Sequence, residues 1–486
     1  MAALVVVLAI LTALFGERIG INAGQGWDGE QYIRWVAHFK IHLIDRGTDA
    51  YHAQRVLPSG VLHLVMRALG IRGTVTQMVD LFYWFDAVML VMAAVLWSHL
   101  GEVMRWRPIS IWVGFAGMFG SFALARHALY NPALTDCAAF ALGMAVTWAY
   151  LAKRPIVVWI CTGLAMVTWP GLVPVGAACL LLPRLDGALP SPTATRAIRL
   201  ACALFAFVLA AAFLLLSRHY LAHPDDALGV PKFAAWVRRD WLWITAPLVA
   251  AMLVIGWFTV LYQPPLWNAR AYVKTLGLRR TAIALAGLVV LFVLRGVWMH
   301  AVVTQHDGPT LNSFMCQQTL EALRGPLWGP VHHVVYMGPL VAVAIVHWRR
   351  VVAVVGSWGH GAVAAFAMLV MFAAASESRQ WIHLLPFFAA AVVAATDERW
   401  TLRRALVFVA IVLAWSKLWL RIGYTHPGDW LELPAQSYFM HMGPWASDTA
   451  WAIHGAAALV TTAGVWLLLR RGSGNAARRN QDGERA

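Results

Sequence analysis

Charge is what this 486-residue chain has little of: Asp, Glu, Lys and Arg together make up 13% of it, and the 23 acidic residues are outnumbered by 38 basic ones. A soluble domain carries roughly 25% charged residues, so water is excluded as the solvent for most of the chain. Cysteine is sparse as well. Of five, Cys137, Cys161, Cys179 and Cys202 fall within apolar runs and only Cys316 lies in an expected outer loop. That excludes a disulfide framework and makes the cysteines small packing residues. Heptads, a fixed-period repeat and low-complexity tracts are missing apart from the polar tail 471–486, which reads as disordered cytoplasmic chain. No HExxH, paired CxxC or Asp-rich loop occurs, so the sequence assigns no metal site. The opening MAALVVVLAILTALF lacks a basic leader and a small-residue cleavage site, which predicts a retained first helix with its amino end inside.

What the chain has instead is apolar surface: 60% hydrophobic residues and a mean hydropathy of +0.64, against roughly 45–50% apolar residues in a soluble domain. Apolar runs lie near 1–15, 78–98, 109–124, 136–151, 156–168, 171–183, 198–217, 241–262, 282–300, 331–347, 359–375, 382–396, 404–419 and 450–469. These are about fourteen segments, many near the ~20 residues that cross a hydrocarbon core. The pattern predicts an all-α polytopic membrane protein with about 12–14 transmembrane helices, forming a single transmembrane domain over 1–470. The pair interrupted at Trp169-Pro170 reads as two half-helices, because proline removes a backbone donor.

A net charge of +15 and a pI near 10.1 do not point to nucleic acid, since the basic residues form no solvated domain. They punctuate the spans: Arg105/Arg107, Lys153/Arg154, Arg184/Arg196/Arg199, Arg270/Lys274/Arg279/Arg280, Arg349/Arg350, Arg399/Arg403/Arg404 and Arg470/Arg471 recur at every second crossing. That is the positive-inside pattern, and it makes those connections cytoplasmic. The long outer segments are then about 16–77, 218–240, 301–330 and 420–449. Most of the 26 tryptophans fall at span ends, where indole suits the headgroup region.

The first outer loop carries two carboxylates in Gly24-Gln-Gly-Trp-Asp28-Gly-Glu30-Gln-Tyr32-Ile-Arg34. Tyr32, Val36, Phe39 and Leu43 repeat at helical spacing, predicting an amphipathic helix along the interface with Glu30, Arg34 and His38 on another face. Asp28-x-x-Gln31 matches a capping box, and Glu30 has an i,i+4 partner in Arg34. Residues two apart on a helix do not face one another, so Asp28 and Glu30 do not form an acid–base dyad. Next comes Tyr51-His-Ala-Gln54-Arg55-Val-Leu-Pro58, leading into a second interfacial helix. An arginine there suits lipid headgroups generally or one phosphate bidentately.

The spacing Gly-aromatic-Asp-Gly-x-x-Tyr, followed by Tyr-x-x-Gln-Arg-x-Leu-Pro about twenty residues on, resembles bacterial polytopic proteins of the GT-C glycosyltransferase superfamily. The resemblance is best over 24–65 and continues in Tyr130-Asn131-Pro-Ala-Leu-Thr-Asp136 and in Glu377-Ser-Arg379 with Leu-Leu-Pro386. It implies a GT-C-like fold and an enzyme of the bacterial inner membrane that faces outward. Such an enzyme takes a sugar, mannose or another hexose or pentose, from a polyprenyl-phosphate carrier. The acceptor is a lipid, glycan or protein, and membrane lipid surrounds the site. The superfamily's essential acidic residue of the first outer loop maps onto Asp28, with Glu30 a weaker match where related sequences often have Gln. Gln54, Arg55 and Tyr32 belong to the matched strings.

Because phosphate departs readily, such a transfer needs a base and a charge clamp. Asp28, ionised at pH 7, is the expected base; Arg55, Arg379 and Arg126 are the expected clamp for charge developing on the phosphate. Arg379 has a rival local partner in Glu377. Some superfamily members use a divalent ion, for which Asp28, Glu30 and nearby histidines offer ligands. The adjacent His332-His333 points to packing. Competing readings are a polysaccharide polymerase or ligase using the same carriers, an envelope scaffold, and a transporter or flippase. A transporter predicts ionisable residues at mid-span, whereas here they cluster at helix mouths. The topology is tested with a membrane-impermeant thiol reagent on intact cells, in a background with the native cysteines replaced by serine. Asp45→Cys is expected to label and Arg107→Cys to stay protected; the reverse result inverts the orientation.

Overall fold

The computed structural model describes residues 1–71, 73–182, 184, 196–223, 225, 230–263, 267, 277–305, 309–420, 443 and 446–470. The tail 471–486 and most of the outer segment 420–449 lie outside them. Among the described residues the only strands, Thr48–Asp49 and Val303–Gln305, pair in parallel. Everything else regular is helical, as an apolar solvent requires, because a helix satisfies its own N–H and C=O groups.

Among the described residues seven helices are long and apolar enough to cross a membrane: Val75–Val103, Arg196–Ala222, Arg239–Leu261, Leu278–Val302, Leu340–Trp358, Ser378–Arg399 and Asp448–Leu469. The helices Pro108–Phe119 and Phe122–Tyr130 together are also long and apolar enough, but they bend by 58° where Ser121 adopts an extended backbone, the geometry of a broken span or a re-entrant loop. The chain is therefore an all-α membrane protein. Val75 starts its helix because Thr74 and Gln77 form a capping box, with the Thr74 N–H donating to Gln77 Oε1 at 2.8 Å.

The remaining apolar runs form shorter helices, including Ala2–Phe15, Asp136–Leu151, Pro155–Ala165, Leu172–Leu181 and His360–Phe372. Pro155–Ala165 and Leu172–Leu181 are the pair expected around Pro170. At about 1.5 Å per residue each covers roughly half of a hydrocarbon core. They pack on one another, and on Asp136–Leu151 and His360–Phe372 respectively.

The basic connections gather at one end of the bundle. The Arg107 N–H donates to Asp397 Oδ1 at 3.0 Å, Arg404 Nη1 to the Arg399 carbonyl at 2.8 Å, and Arg404 Nη2 to the Arg470 carbonyl at 3.2 Å. Arg184 likewise reaches the Leu151 carbonyl, and Arg399 the Leu469 carbonyl. From that end, four elements run to the opposite one: Pro108–Phe119 continues to Tyr130, Asp136–Leu151 runs back to Asp136, Pro155–Ala165 leads to Trp169, and Ser378–Arg399 returns to Arg379.

Burial is graded. The most apolar stretch of Ser378–Arg399 is 78% buried, whereas that of Leu278–Val302 is 11% buried. The first is the axis of the core and the second stands in lipid, showing Val289, Val290, Phe292, Val293 and Val297 to its surroundings. Around the axis small residues let backbones approach, as transmembrane packing requires: Gly143 lies directly against the His383 carbonyl, leaving no space for a Cβ. Gly143→Val is expected to destabilise the fold by about 1–3 kcal/mol through overpacking. Gly464→Ala, which meets nothing within 4 Å, serves as the neutral control. The thermal midpoint of the detergent-solubilised protein measures both.

Candidate functional site

At the end of the bundle away from the basic connections, the loop after the first helix folds over Tyr130–Asp136, Trp169 and Arg379. Its approach is set by Gly26, whose φ of +71° belongs to the left-handed region. The same glycine lies so close to Asn131 that a Cβ would meet Asn131 Oδ1 at 2.7 Å. This turn delivers Asp28 to the start of the helix Gly29–Phe39, which buries Tyr32, Ile33, Trp35 and Val36 and leaves Arg34 outside. The amphipathic helix predicted from spacing is present.

The capping role expected of Asp28 is not. Asp28 occupies the N-cap position with helical angles, and its side chain makes no cap hydrogen bond. The carboxylate turns to tertiary partners instead: Tyr51 Oη donates to Oδ2 at 3.1 Å, and Arg379 Nη2 stands 3.6 Å from the same oxygen. Capping in this loop falls to Asp49, which accepts from the N–H groups of Tyr51 at 2.8 Å and His52 at 3.1 Å and holds His52 Nδ1 at 2.5 Å. By starting the short helix Ala50–Ala53, Asp49 aims Tyr51 at Asp28.

Arg55, one helical turn after Tyr51, is 7% exposed and lies between two aromatic rings. Its guanidinium carbon is 4.2 Å from the Tyr51 centroid and 4.4 Å from that of Trp169. Desolvated stacking of this kind contributes about 2 kcal/mol per ring. The break at Pro170 supplies Trp169, and two bonds pin it: Trp169 Nε1 donates to His383 Nδ1 at 2.9 Å, and the Leu57 N–H donates to the Val167 carbonyl at 2.9 Å. Among the described residues no carboxylate forms an ion pair with Arg55.

Arg379 makes both contacts between which the sequence left a choice, Nε to Glu377 Oε1 at 2.9 Å and Nη2 to Asp28. Asp136 begins the helix Asp136–Leu151, is 7% exposed, and has no hydrogen-bond partner on either carboxylate oxygen. The charges acting on it most strongly are Arg379 and then Arg55. Tyr32 Oη and Asn131 Oδ1 also lack protein partners, so the cluster presents polar atoms that only solvent or a polar ligand satisfies. Burial pushes the Tyr51 phenol well above its ordinary range, against the opposing pull of Arg55. Tyr51 therefore stays protonated and donates to Asp28.

Of the residues expected from sequence, Asp28, Tyr32, Arg55 and Arg379 come together. Glu30 does not: it pairs with Arg34 on the surface, as their i,i+4 spacing foretells. Gln54 is committed elsewhere, its amide donating to the Ala50 carbonyl at 2.6 Å and its Oε1 accepting from Arg295 Nη2 at 2.5 Å. Arg126 is held by Glu17 at 2.5 Å and donates to the Leu420 carbonyl at 3.1 Å. His332 and His333 pack, bonded to the Trp328 carbonyl and to Ser378 Oγ, each at 2.8 Å. Cys316, placed by sequence in an outer loop, is buried.

Tyr51 and Trp169 were missed. Their available signals were the i,i+4 spacing of Tyr51 and Arg55 and the aromatic residue at a proline break. Also missed was Asp86, 1% exposed well inside the span Val75–Val103, an exception to the rule that ionisable groups sit at helix mouths. Among the described residues no group of three or more His, Cys, Asp or Glu could hold a metal ion. Comparison with protein-family models, curated proteins and solved structures gives no match for this chain.

The division of labour in the loop is testable by thermal melting. Asp49→Ala, which uncaps two N–H groups, is expected to cost about 1 kcal/mol. Asp28→Ala is expected not to show a capping loss, because no cap bond is made there. Equal and opposite assignments of the two losses would overturn the reading.

Proposed function

We propose that this chain is a GT-C-type glycosyltransferase that moves a sugar from a polyprenyl-phosphate carrier to an acceptor on the outer face of the cytoplasmic membrane. The twelve to fourteen crossings read from sequence belong to this proposal, as does the outward orientation, supported by the basic connections at the other end. One observation carries it: both protein contacts of the Asp28 carboxylate fall on Oδ2. That leaves Oδ1, on a side chain 29% exposed, beside two buried guanidiniums.

In the proposed reaction Oδ1 takes the proton of the acceptor hydroxyl as its oxygen attacks the anomeric carbon. The bond from that carbon to the phosphate oxygen breaks, and its electron pair leaves with the phosphate. Arg55 and Arg379 face the charge that develops there, preorganised by aromatic rings and by Glu377 rather than by solvent. Tyr51 keeps Oδ2 occupied, so the basic lone pairs are those of Oδ1. Glu30, Gln54 and Arg126 take no part, given where their side chains are spent.

Asp86 is the observation that favours transport, since buried acids inside spans mark ion pathways in transporters. Purified protein in liposomes separates the readings. Consumption of a polyprenyl-phosphate-linked sugar is expected, with Asp28→Asn lowering kcat/KM by about 100-fold or more. Arg55→Ala is expected to raise the donor KM by at least about tenfold. Full activity in Asp28→Asn would remove Asp28 as base. Solute flux that depends on Asp86 without donor consumption would replace the enzyme by a transporter.

A further inference from the structure

Behind Arg379 lies a second pair of carboxyl groups that the transfer chemistry does not use. Glu321, in the outer helix Leu311–Ala322, and Glu377 are 2% and 4% exposed. One amide joins them: Gln317 Nε2 donates to Glu321 Oε1 at 2.7 Å and to Glu377 Oε2 at 2.5 Å. The backbone N–H of Glu377 donates to Glu321 Oε2 at 3.1 Å, and Ser376 Oγ to the same oxygen at 3.4 Å. Gln380 Nε2 adds a bond of 2.8 Å to Glu377 Oε2.

Among the described residues Arg379 is the one cation in ion-pair contact with either group, through Glu377 Oε1 at 2.9 Å. The same guanidinium also faces Asp28. Two buried carboxyls that share a donor cannot both ionise on so little positive charge. Among the described residues Glu377 has Arg379 in contact and Glu321 has no cation in contact. Burial, and next the Glu377 carboxylate, push Glu321 up to about 8.

The other titratable groups around Glu321 are accounted for. Cys316 is on its own helix, and Arg324, just beyond, stacks on Trp328 and donates to the Ala446 carbonyl. Tyr220 of Arg196–Ala222 is bonded to Asn312, and Arg218 and His219 on that helix are exposed. Lys232 of Val230–Trp236 lies over Trp236. On Trp328–Met337, His332 and His333 hold the Trp328 carbonyl and Ser378, and Tyr336 meets His127.

We propose that Glu321 and Glu377 share one proton, carried by Glu321, and that this pair positions Arg379 against Asp28; the role rests on the transferase reading. With Glu321 neutral, Glu377 pulls on the guanidinium from behind and Asp28 from in front, while Asp136 acts on it from the start of its own helix. As pH rises and Glu321 ionises, a further anion competes with Asp28 for the same cation.

The test joins a spectroscopic and a kinetic readout on the full-length protein in liposomes. Infrared difference spectra of the wild type are expected to show a protonated-carboxyl C=O band at neutral pH that disappears on alkalinisation and is missing in Glu321→Gln. Donor KM is expected to rise with alkaline pH in the wild type. In Glu321→Gln, neutral at every pH, it stays within about twofold of the neutral wild-type value, and in Glu377→Gln it rises about tenfold at neutral pH with a smaller change in kcat. Glu321→Ala, which removes the partner of Glu377, is expected to raise KM where Glu321→Gln does not. A wild type without the band, a band that survives in Glu321→Gln, or an unchanged KM in Glu377→Gln overturns the inference. If the band behaves as expected but no donor is consumed, the transferase reading fails and takes the role of Arg379 with it, while the shared proton stands.

Discussion

The buried positive charge of Arg379 is the constraint around which the end of this protein away from the basic connections is organised. A guanidinium with 9% of its side chain exposed is tolerable only if paired with opposite charge. Its partners come from opposite ends of the described chain: Glu377 beside it and Asp28 in the first loop. Each partner is itself held. Gln317 and Gln380 bond Glu377, Tyr51 bonds Asp28, and Asp49 fixes the turn that carries Tyr51. Loosening any member passes to the guanidinium, because the network has few redundant bonds.

The class was legible in the sequence because it depends on local composition. Twenty apolar residues span a core wherever they occur, and the Pro170 break is an effect of one residue on its own backbone. The site was legible only in part. Asp28 and Asp49 both precede helical segments, and capping preference does not distinguish them; Tyr51 and Arg379, brought near by the fold, claim Asp28 and leave the cap to Asp49. Gln54 and Arg126 illustrate the same limit. Their partners Arg295 and Glu17 lie 241 and 109 residues away, beyond any spacing rule. The pairing of Glu321 with Glu377 joins residues 56 apart with three helices between them, and no local pattern announces it.

The short helices explain why so much polar chemistry fits into so apolar a chain. A helix that ends before crossing leaves terminal N–H groups and side chains at depth, and non-helical backbone survives there only when enclosed by protein. The segments Thr168–Gly171 and Ser378–Leu384 interrupt the regular α-helix in this way, and they carry Trp169 and Arg379. The core helices around them, rich in alanine and glycine, supply the enclosure.

The sparsely packed helix Leu278–Val302 touches this assembly at its outer end, where Arg295 bonds Gln54, Trp298 Nε1 bonds the Ala53 carbonyl at 2.9 Å, and Val303 pairs with Thr48. Along most of its length protein leaves it uncovered, with 11% of its most apolar stretch buried, so few protein contacts fix its tilt. Ala53 and Gln54 immediately precede Arg55. The segment thus joins a sparsely covered helix to the loop that carries the site, and any change in the tilt of that helix reaches the backbone beside Arg55.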